Sequence, residues 1–437
     1  MRSLRPYQTK AKDFLLDRQY AGLFADMGMG KTAGTLHAMV GFPKPILLIG
    51  PIRVIEDVWR AEAALWPETQ GLTFSLVRGP VKARARALAT PADVYLVNPE
   101  LVDEVLASDV PFASLVVDES SMYKSPSTKR FKSLRKARKR FQKIVILTGT
   151  PSPNSLMDLW SQIYLLDGGT RLGTSFFMFR NIFFNQTDYM GYSFEPKPGA
   201  VEKVSRLISD IVLRIEAKGN LPPREVLHNR ITVDLPPKAR THYDEMAKDA
   251  FSRIASEDVS AGSAVTVLTK LRQMASGFVY GDDGATVEVH REKIKALESI
   301  MDETGSPVIV VYQFRHELQA LKAAFPQGLE LADVKMDDWN SKKIPMMFLH
   351  PQSGGHGLNL QYGSHTMVIF SASFSYEHMA QTKARIDRQG QECPVIFHEI
   401  VARDTVDDLL LEALDRKSSD QSRILDLVKA YAQKHGR

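Results

Sequence analysis

The chain has 437 residues, of which 44% are hydrophobic and 24% are charged, and its formal net charge is +5. This composition is that of a globular protein with room for two or three domains, and the modest positive charge permits a polyanionic partner without requiring one. The single cysteine, Cys393, excludes an internal disulfide framework. The first residues lack the apolar core of a signal peptide, and no run approaches the ~18 apolar residues that span a bilayer. We therefore expect a cytoplasmic protein with no membrane attachment.

The first motif in chain order is a glycine-rich loop at residues 25–32, "ADMGMGKT". A short apolar strand precedes this loop and the helical segment "TAGTLHAMV" follows it, which is the order typical of phosphate-binding loops. We expect the backbone at Gly28 and Gly30 to turn N–H groups onto phosphates. Lys31 would reach the β- and γ-phosphates, and the Thr32 hydroxyl would bind Mg²⁺.

Four further apolar runs in the first half of the chain predict strands that are buried on both faces of a parallel sheet. They are "PILLIG" (45–50), "DVYLVN" (93–98), "SLVVDE" (114–119) and "KIVILTG" (143–149). The third run ends in the acidic pair Asp118-Glu119. Asp118 would hold Mg²⁺ through water, and Glu119 would deprotonate the water molecule that attacks a phosphate.

A strongly basic segment follows at residues 129–143, "KRFKSLRKARKRFQK", with nine Lys or Arg in fifteen residues. Its apolar residues recur at helical spacing, so we expect an amphipathic helix whose outer face is charged. That face is either simply solvated or a patch for nucleic-acid phosphates. In the second case Lys132 and Lys136 would be contacts.

The middle of the chain separates two sets of alternating strands and helices. The aromatic stretch 176–184 is expected to form the core of a small subdomain rather than a base-stacking surface. The second set of apolar runs is "PVIVVY" (307–312), "MMFLH" (346–350), "TMVIFS" (366–371) and "PVIFHEIV" (394–401). We predict an α/β protein with two doubly wound parallel-sheet domains and a helical insertion between them. Our boundaries are 1–225 for the first domain with a helical protrusion from about 155, 226–290 for a linker and helical protrusion, and 291–437 for the second domain with a bracing C-terminal helix.

Seven segments in this order resemble the motifs of superfamily-two helicase-like ATPases, and within them the Swi/Snf-type translocases of double-stranded DNA. They are "LRPYQ" (4–8), "ADMGMGKT" (25–32), "DESSMYKS" (118–125), "LTGTPSPN" (147–154), "VVYQF" (310–314), "SGGHGLNLQ" (353–361) and "QTKARIDRQGQ" (381–391). The resemblance implies two RecA-like domains and the cofactors ATP and Mg²⁺. The fourth residue of the family's DEAH box is Ser121 here, in place of His.

The resemblance also assigns roles to residues outside the phosphate loop. Gln8 would contact the adenine base, and Gly357 and Gln381 would serve the ATP site. Arg385 and Arg388 of the second domain would face the γ-phosphate held by the first and stabilise transition-state charge. Because these two arginines are three residues apart, we expect them to share one face of a helix.

Small residues in two of these motifs are candidates for close approach to a nucleic-acid strand. We expect Thr150, Gly355 and Asn359 to contact phosphates, which positions a protein on a duplex without reading its bases. The alternative is ordinary turn chemistry between domains, and Asn359 is also a candidate for the ATP site.

The leading functional hypothesis is an ATPase that couples ATP hydrolysis, at the cleft between the two domains, to movement along double-stranded or branched DNA. The alternatives are a strand-separating or branch-migrating helicase that acts on forks or RNA–DNA hybrids, and a nucleic-acid-binding module whose ATPase has decayed. We expect a monomer in the cytoplasm of a bacterium or of an infected host cell. A protein partner would supply its specificity.

Overall fold

A computed structural model describes residues 3–149, 151, 155–187, 194–220, 225–256, 261–280, 286–354 and 358–415. The chain divides near residue 222 into two compact units. No helix in the described part of the chain is long and apolar enough to cross a bilayer.

A seven-stranded parallel sheet, in the order β3-β4-β2-β5-β6-β1-β9, forms the centre of the first unit. Its strands are β1 (Tyr20–Ala25), β2 (Ile46–Ile49), β3 (Phe74–Val77), β4 (Val94–Val97), β5 (Ser114–Asp118), β6 (Lys143–Thr148) and β9 (Val212–Ile215). The four apolar runs predicted as strands are confirmed. Alternate residues of β2 enter separate hydrophobic clusters, Leu47 and Ile49 in one and Ile46 and Leu48 in the other. Both faces of the sheet are therefore covered, as in a doubly wound domain.

Nine helices accompany this sheet in the described residues of the first unit. They are α1 (Pro6–Asp17), α2 (Lys31–Met39), α3 (Trp59–Ala64), α4 (Val81–Ala89), α5 (Val102–Leu106), α6 (Lys129–Ala137), α7 (Asp158–Asp167), α8 (Phe176–Phe183) and α9 (Ala200–Ile208). A small antiparallel hairpin, β7 (Phe184–Gln186) and β8 (Phe194–Pro196), lies between α8 and α9. The aromatic stretch of α8 is mainly core, since Phe179, Phe183 and Phe184 are buried, but Phe177 is 60% exposed.

A six-stranded parallel sheet, in the order β10-β17-β16-β13-β15-β14, forms the centre of the second unit. Its strands are β10 (Val226–Val233), β13 (Val308–Val311), β14 (Leu329–Glu330), β15 (Met346–Leu349), β16 (Thr366–Ile369) and β17 (Val395–Ala402), and a separate hairpin comprises β11 (Phe278–Tyr280) and β12 (Thr286–Glu288). The four apolar runs predicted here are also strands. The segment 226–290, expected to be a linker and helical protrusion, differs in that its first residues form the edge strand β10.

The helices of the second unit include two long ones between β10 and β11. They are α10 (Pro237–Ser256), α11 (Ala261–Ala275), α12 (Glu292–Glu303), α13 (Arg315–Ala324), α14 (Met336–Asn340), α15 (Pro351–Gly354), α16 (Tyr376–Lys383) and α17 (Val406–Asp415). A buried ion pair joins α12 to α17. Nζ of Lys293 in α12 lies 2.6 Å from Oδ2 of Asp407 in α17. Lys293 also donates to the carbonyl of Phe370 at 3.1 Å. This pair fixes α17, the first part of the tail after 403 that is predicted to be helical, to the rest of the second unit. The tail beyond 415 lies outside the described residues.

One histidine in the second unit is buried without polar contacts. His316 is 1% exposed, and neither ring nitrogen has a hydrogen-bond partner among the described residues. Its ring stacks on Phe314 and meets Tyr280 edge-on. Burial lowers the pKa of His316, while the charge of Glu317 acts weakly in the opposite direction. The folded protein therefore holds this imidazole in its neutral form.

Acidification is expected to destabilise the protein through His316. The unfolded chain binds a proton at this residue near pH 6.5, whereas the folded chain does so only at a lower pH. Below about pH 6.5 the free energy of unfolding therefore falls, by up to about 1.4 kcal/mol per pH unit, until the folded pKa is reached.

His316→Phe suits the aromatic surroundings and should reduce this loss. The melting temperature would be compared at about pH 7.5 and about pH 5.5 by circular dichroism, with the exposed His242→Phe as the control. Equal acid sensitivity in His316→Phe and the parent would contradict the assignment.

Candidate active site

The phosphate loop connects the end of β1 to the start of α2. Gly28 and Gly30 have φ angles of 78° and 67°, in the left-handed region that favours glycine. A Cβ atom at Gly30 would also collide with the side-chain amide of Gln8. The loop thus needs glycine at this position for its backbone conformation and for the close approach of α1.

Gln8, which the resemblance assigns to the adenine base, lies against the phosphate loop. Its side chain is buried, and its Oε1 accepts a hydrogen bond from the backbone N–H of Arg5 at 2.9 Å. This bond closes the first turn of α1 and fixes the direction of the amide. The Nε2 end faces Gly30, so Gln8 belongs to the same site as the loop.

Lys31 begins α2 and folds back over the loop. Its Nζ donates to the carbonyl of Ala25 at 2.7 Å. The end of β6 lies against the same ammonium group, because a Cβ atom at Gly149 would be 3.3 Å from Nζ of Lys31 and 3.1 Å from Cγ of Met27. The neighbouring Thr32 is half-buried in the first turn of α2. An N-terminal helical turn with a lysine above it is a favourable site for an anion.

Asp118 ends β5 in an environment that is short of water. Burial raises the pKa of Asp118 to about 6, and the charge of Glu119 acts in the same direction. A hydrogen bond from Nε1 of Trp59 to Oδ2 (3.0 Å) and the charge of Lys31 oppose these effects. The loop lysine and the acidic pair meet at the end of β6, where Gly149 lies against Nζ of Lys31 and the preceding Thr148 bonds to Glu119. A buried carboxylate of this kind favours a nearby cation.

Glu119 is held in an unusual conformation. Its φ and ψ angles are 60° and 64°, a left-handed conformation that is uncommon for a residue other than glycine and tends to occur at functional sites. Its Oε1 accepts two hydrogen bonds, from Oγ of Ser121 at 2.8 Å and from Oγ1 of Thr148 at 2.6 Å. Ser121, which replaces the family's His, therefore bonds directly to the acidic residue.

In the second unit, the prediction that Arg385 and Arg388 share a helix face is wrong. Helix α16 ends at Lys383, and both arginines lie in the turns that follow. At the helix end the N–H of Arg385 bonds to the carbonyl of Thr382, three residues back (3.0 Å), and Gly390 then takes a left-handed conformation (φ 89°). Arg385 is 8% exposed and Arg388 is half-buried.

The same motif is held by reciprocal amide contacts within the second unit. Nε2 of Gln391 donates to the carbonyls of Gln361 and Ser364, and Nε2 of Gln361 donates to the carbonyl of Gln389. Gln381 is buried in α16, where its Nε2 lies 3.3 Å from Oε1 of Glu377. These contacts attach the turns that contain the two arginines to residues 361–364.

The candidate DNA contacts are only partly described. Asn359 is exposed, whereas Thr150, Gly355 and Gly357 lie outside the described residues. On α6, the apolar residues Phe131, Leu134 and Ala137 are buried, and Lys132 and Lys136 are exposed, as the amphipathic pattern predicts.

Six of the nine basic residues in that segment have partners within the fold, one of them Arg135, which lies over the Tyr164 ring. Lys129 and Arg130 pair with acids, and Arg138, Arg140 and Lys143 donate to backbone carbonyls. The exposed lysines are therefore a smaller patch than the charge run suggests.

Sequence reasoning missed Trp59 and Thr148, which bond directly to the two acidic residues of the site. The sequence also shows no sign of the contact that Asp26 makes, in which its Oδ2 accepts the N–H of Ala217 at 2.8 Å and ties the phosphate loop to the segment after β9. Trp59 resembles any apolar residue of an amphipathic helix. Thr148 had one signal, its position within the "LTGT" motif.

The structure has the features of a helicase-like ATPase. These are the two parallel sheets, the glycine-rich loop with Lys31 and the acidic pair at the end of β5. The chain belongs to the SNF2 family within that class, because the model for the SNF2-related domain matches residues 7–276.

Proteins similar to this chain include a phage protein and a bacterial protein. The chain is 39% identical to the putative protein p41 of Acyrthosiphon pisum secondary endosymbiont phage 1, over 97% of this chain and 98% of that protein. It is 24% identical to the putative ATP-dependent helicase/translocase YwqA of Bacillus subtilis, over 97% of this chain and 49% of YwqA. A solved structure, the Sulfolobus solfataricus SWI2/SNF2 ATPase core in complex with dsDNA, matches at 22% identity with a TM-score of 0.44, over 98% of this chain and 93% of that one. The chain thus spans nearly all of the phage relative and about half of the Bacillus protein.

Proposed function

We propose that this protein is a DNA-dependent ATPase that uses ATP hydrolysis to move along double-stranded DNA. The observation that carries the proposal is the convergence of Lys31 and the Asp118-Glu119 pair at the end of β6, where Gly149 lies against Lys31 and Thr148 bonds to Glu119. Membership of the SNF2 family supports it, and so does the resemblance to YwqA, which is named a helicase/translocase.

In this proposal the first unit binds the nucleotide. Gln8 contacts the base beside the loop, and Gly28 and Gly30 turn backbone N–H groups onto the phosphates. Lys31 exchanges its bond with the Ala25 carbonyl for the terminal phosphates.

The residues present fit a magnesium ion that is shared with phosphate. No cluster of three or more His, Cys, Asp or Glu in the described ranges could hold a metal by itself. Thr32 and Asp118 would hold the ion together with phosphate oxygens, because hydroxyl and carboxylate oxygens are ligands that Mg²⁺ prefers. When bound, Mg²⁺ would neutralise charge on the phosphates.

The remaining steps belong to Glu119 and to the second domain. Glu119 takes the proton of the attacking water, while Ser121 and Thr148 hold its carboxylate in place. Arg385 and Arg388 stabilise the charge that develops on the phosphate at the cleft between the domains, where Gly357 and Gln381 complete the site. Thr150, Gly355 and Asn359 contact DNA phosphates. ATP must favour one arrangement of the two domains over another for hydrolysis to drive movement.

We further propose that one copy of the chain is the working unit and that a protein partner directs it to particular DNA. The place of action would be the cytoplasm of a bacterium or of an infected cell, in keeping with the phage relative.

ATP turnover should be measured with duplex DNA, single-stranded DNA, forked DNA and RNA. We expect low turnover without nucleic acid and strong stimulation by duplex DNA. A triplex-displacement assay and a forked-substrate unwinding assay then separate the two motor activities. Unwinding without triplex displacement would favour a strand-separating helicase, and no stimulation by any nucleic acid would reject the proposal.

The exposed lysines of α6 give a test of the basic patch. Lys132→Ala with Lys136→Ala should weaken duplex binding and lower the slope of log affinity against log salt by about 0.9 for each DNA phosphate that the variant no longer neutralises. The matched control removes two exposed charges from α4 of the same unit, with Lys82→Ala and Arg86→Ala. If both double variants change the slope equally, or neither does, α6 is a solvated face.

A further inference from the structure

Trp59 enters the active site from a helix whose start is unusual. Residues Val54–Val58 form a π-helical turn, and the N–H of Trp59 bonds to the carbonyl of Val54, five residues back. A π turn contains one more residue than an α turn needs and therefore rotates the residues that follow it, and such turns are frequent at functional sites. Here Trp59 is fully buried, and its indole reaches the end of β5, where Nε1 lies 3.0 Å from Oδ2 of Asp118.

The surroundings restrict the movement of the Asp118 carboxylate. A Cβ atom at Gly50, at the end of β2, would lie 3.3 Å from Cβ of Asp118 and 3.1 Å from Cγ2 of Ile55 in the π turn. The strand end, the π turn and Asp118 are therefore tightly packed. Because the indole is a donor only, it can orient the carboxylate but cannot compete for a cation.

We propose that Trp59 is a positioning residue for magnesium. By engaging Oδ2, its indole N–H fixes the orientation of the Asp118 carboxylate, so that Oδ1 is presented to the ion or to its bound water in a constant direction. This inference rests on the proposed function, in which Asp118 and Thr32 hold Mg²⁺ beside the phosphates. Groups that orient a metal-binding side chain in this way typically change metal affinity by about 10–100-fold when they are removed.

The chain contains a matched control in the same segment. Nε1 of Trp66 donates to Oε1 of Glu62 at 2.9 Å, and Trp66 is also buried. That bond joins residues one helical turn apart and does not involve Asp118. Trp59→Phe and Trp66→Phe each remove one indole N–H that donates to a carboxylate, and each keeps an aromatic ring.

The experiment measures ADP binding by calorimetry with Mg²⁺ and with EDTA, in the parent and in both variants. The ratio of the two dissociation constants gives the coupling between magnesium and nucleotide, which is reciprocal by linkage. We expect Trp59→Phe to reduce this ratio by about tenfold or more and Trp66→Phe to leave it unchanged. A purely structural role of Trp59 would weaken ADP binding equally with and without magnesium. An unchanged ratio in Trp59→Phe would therefore overturn the inference while leaving the proposed function intact, whereas a parent protein without magnesium coupling would overturn both.

A second measurement covers the case in which Trp59→Phe does not fold. The parent protein has four tryptophans, so ¹⁵N labelling gives four indole N–H resonances, and Trp66→Phe helps to assign them. Adding Mg²⁺ to the ADP-bound parent should shift the Trp59 indole resonance and leave the Trp66 resonance in place. A Trp59 resonance that does not respond to Mg²⁺ would contradict the proposed role.

Discussion

Glu119→Gln is expected to lower DNA-stimulated ATP turnover by about 10²–10⁴-fold and to leave ATP binding nearly unchanged. The amide keeps the shape of the side chain and can still accept the hydrogen bonds that Ser121 and Thr148 donate. It cannot take a proton from water, so the loss falls on the chemical step. Phosphate release at saturating ATP and DNA measures the first quantity, and ATP binding to the same variant measures the second.

The control for this variant is Glu62→Gln, which makes the same chemical change in the first unit at a residue that bonds Trp66. We expect that control to hydrolyse ATP at the parental rate. If Glu119→Gln also turned over ATP like the parent, Glu119 would not be the base. The alternative of a nucleic-acid-binding module with a decayed ATPase would then be favoured.

The strands that were predicted from sequence share one physical property. Inner strands such as β2 and β4 are buried at every position and therefore appear as unbroken apolar runs. The edge strands β3 and β10 do not appear as unbroken apolar runs in the sequence. β3 is buried only at alternate positions, and β10 is exposed at five of its eight positions, four of which are polar. An edge strand contacts the core less, so its sequence resembles that of a loop or linker.

The candidate active site also contains residues that the sequence identifies and residues that it does not. Lys31 and Asp118 were identified because local spacing within a strand and loop determines their place. The bonds from Trp59 to Asp118 and from Thr148 to Glu119 join residues 59 and 29 positions apart, and such pairs depend on how strands are ordered in the sheet. The arginine spacing misled for the opposite reason, because an interval of three residues fits a helix and also fits the consecutive turns that follow Lys383.

We also expect a large loss of ATP turnover when the arginines of the second domain, Arg385 and Arg388, are replaced. If an arginine acts on the γ-phosphate as we propose, its replacement by alanine should lower turnover by about 10³–10⁵-fold. We therefore expect Arg385→Ala or Arg388→Ala, or both, to show a loss of this size. Arg403→Ala is the control, since this arginine of the same unit is exposed and pairs with the exposed Asp234. The melting temperature of each variant would show whether the fold is retained.

The two kinetic constants distinguish transition-state stabilisation from ATP binding. An arginine that acts only as charge develops on the phosphate lowers kcat and leaves the KM for ATP almost unchanged, whereas one that grips ground-state ATP mainly raises KM. Lysine at the same position keeps the charge but loses the planar fork of donors, so Arg385→Lys and Arg388→Lys should recover only part of the rate. If both alanine variants fold and hydrolyse ATP at the parental rate, the second domain supplies no charge to the reaction. Hydrolysis would then depend on the first unit alone, and the coupling of ATP turnover to domain movement would need another explanation.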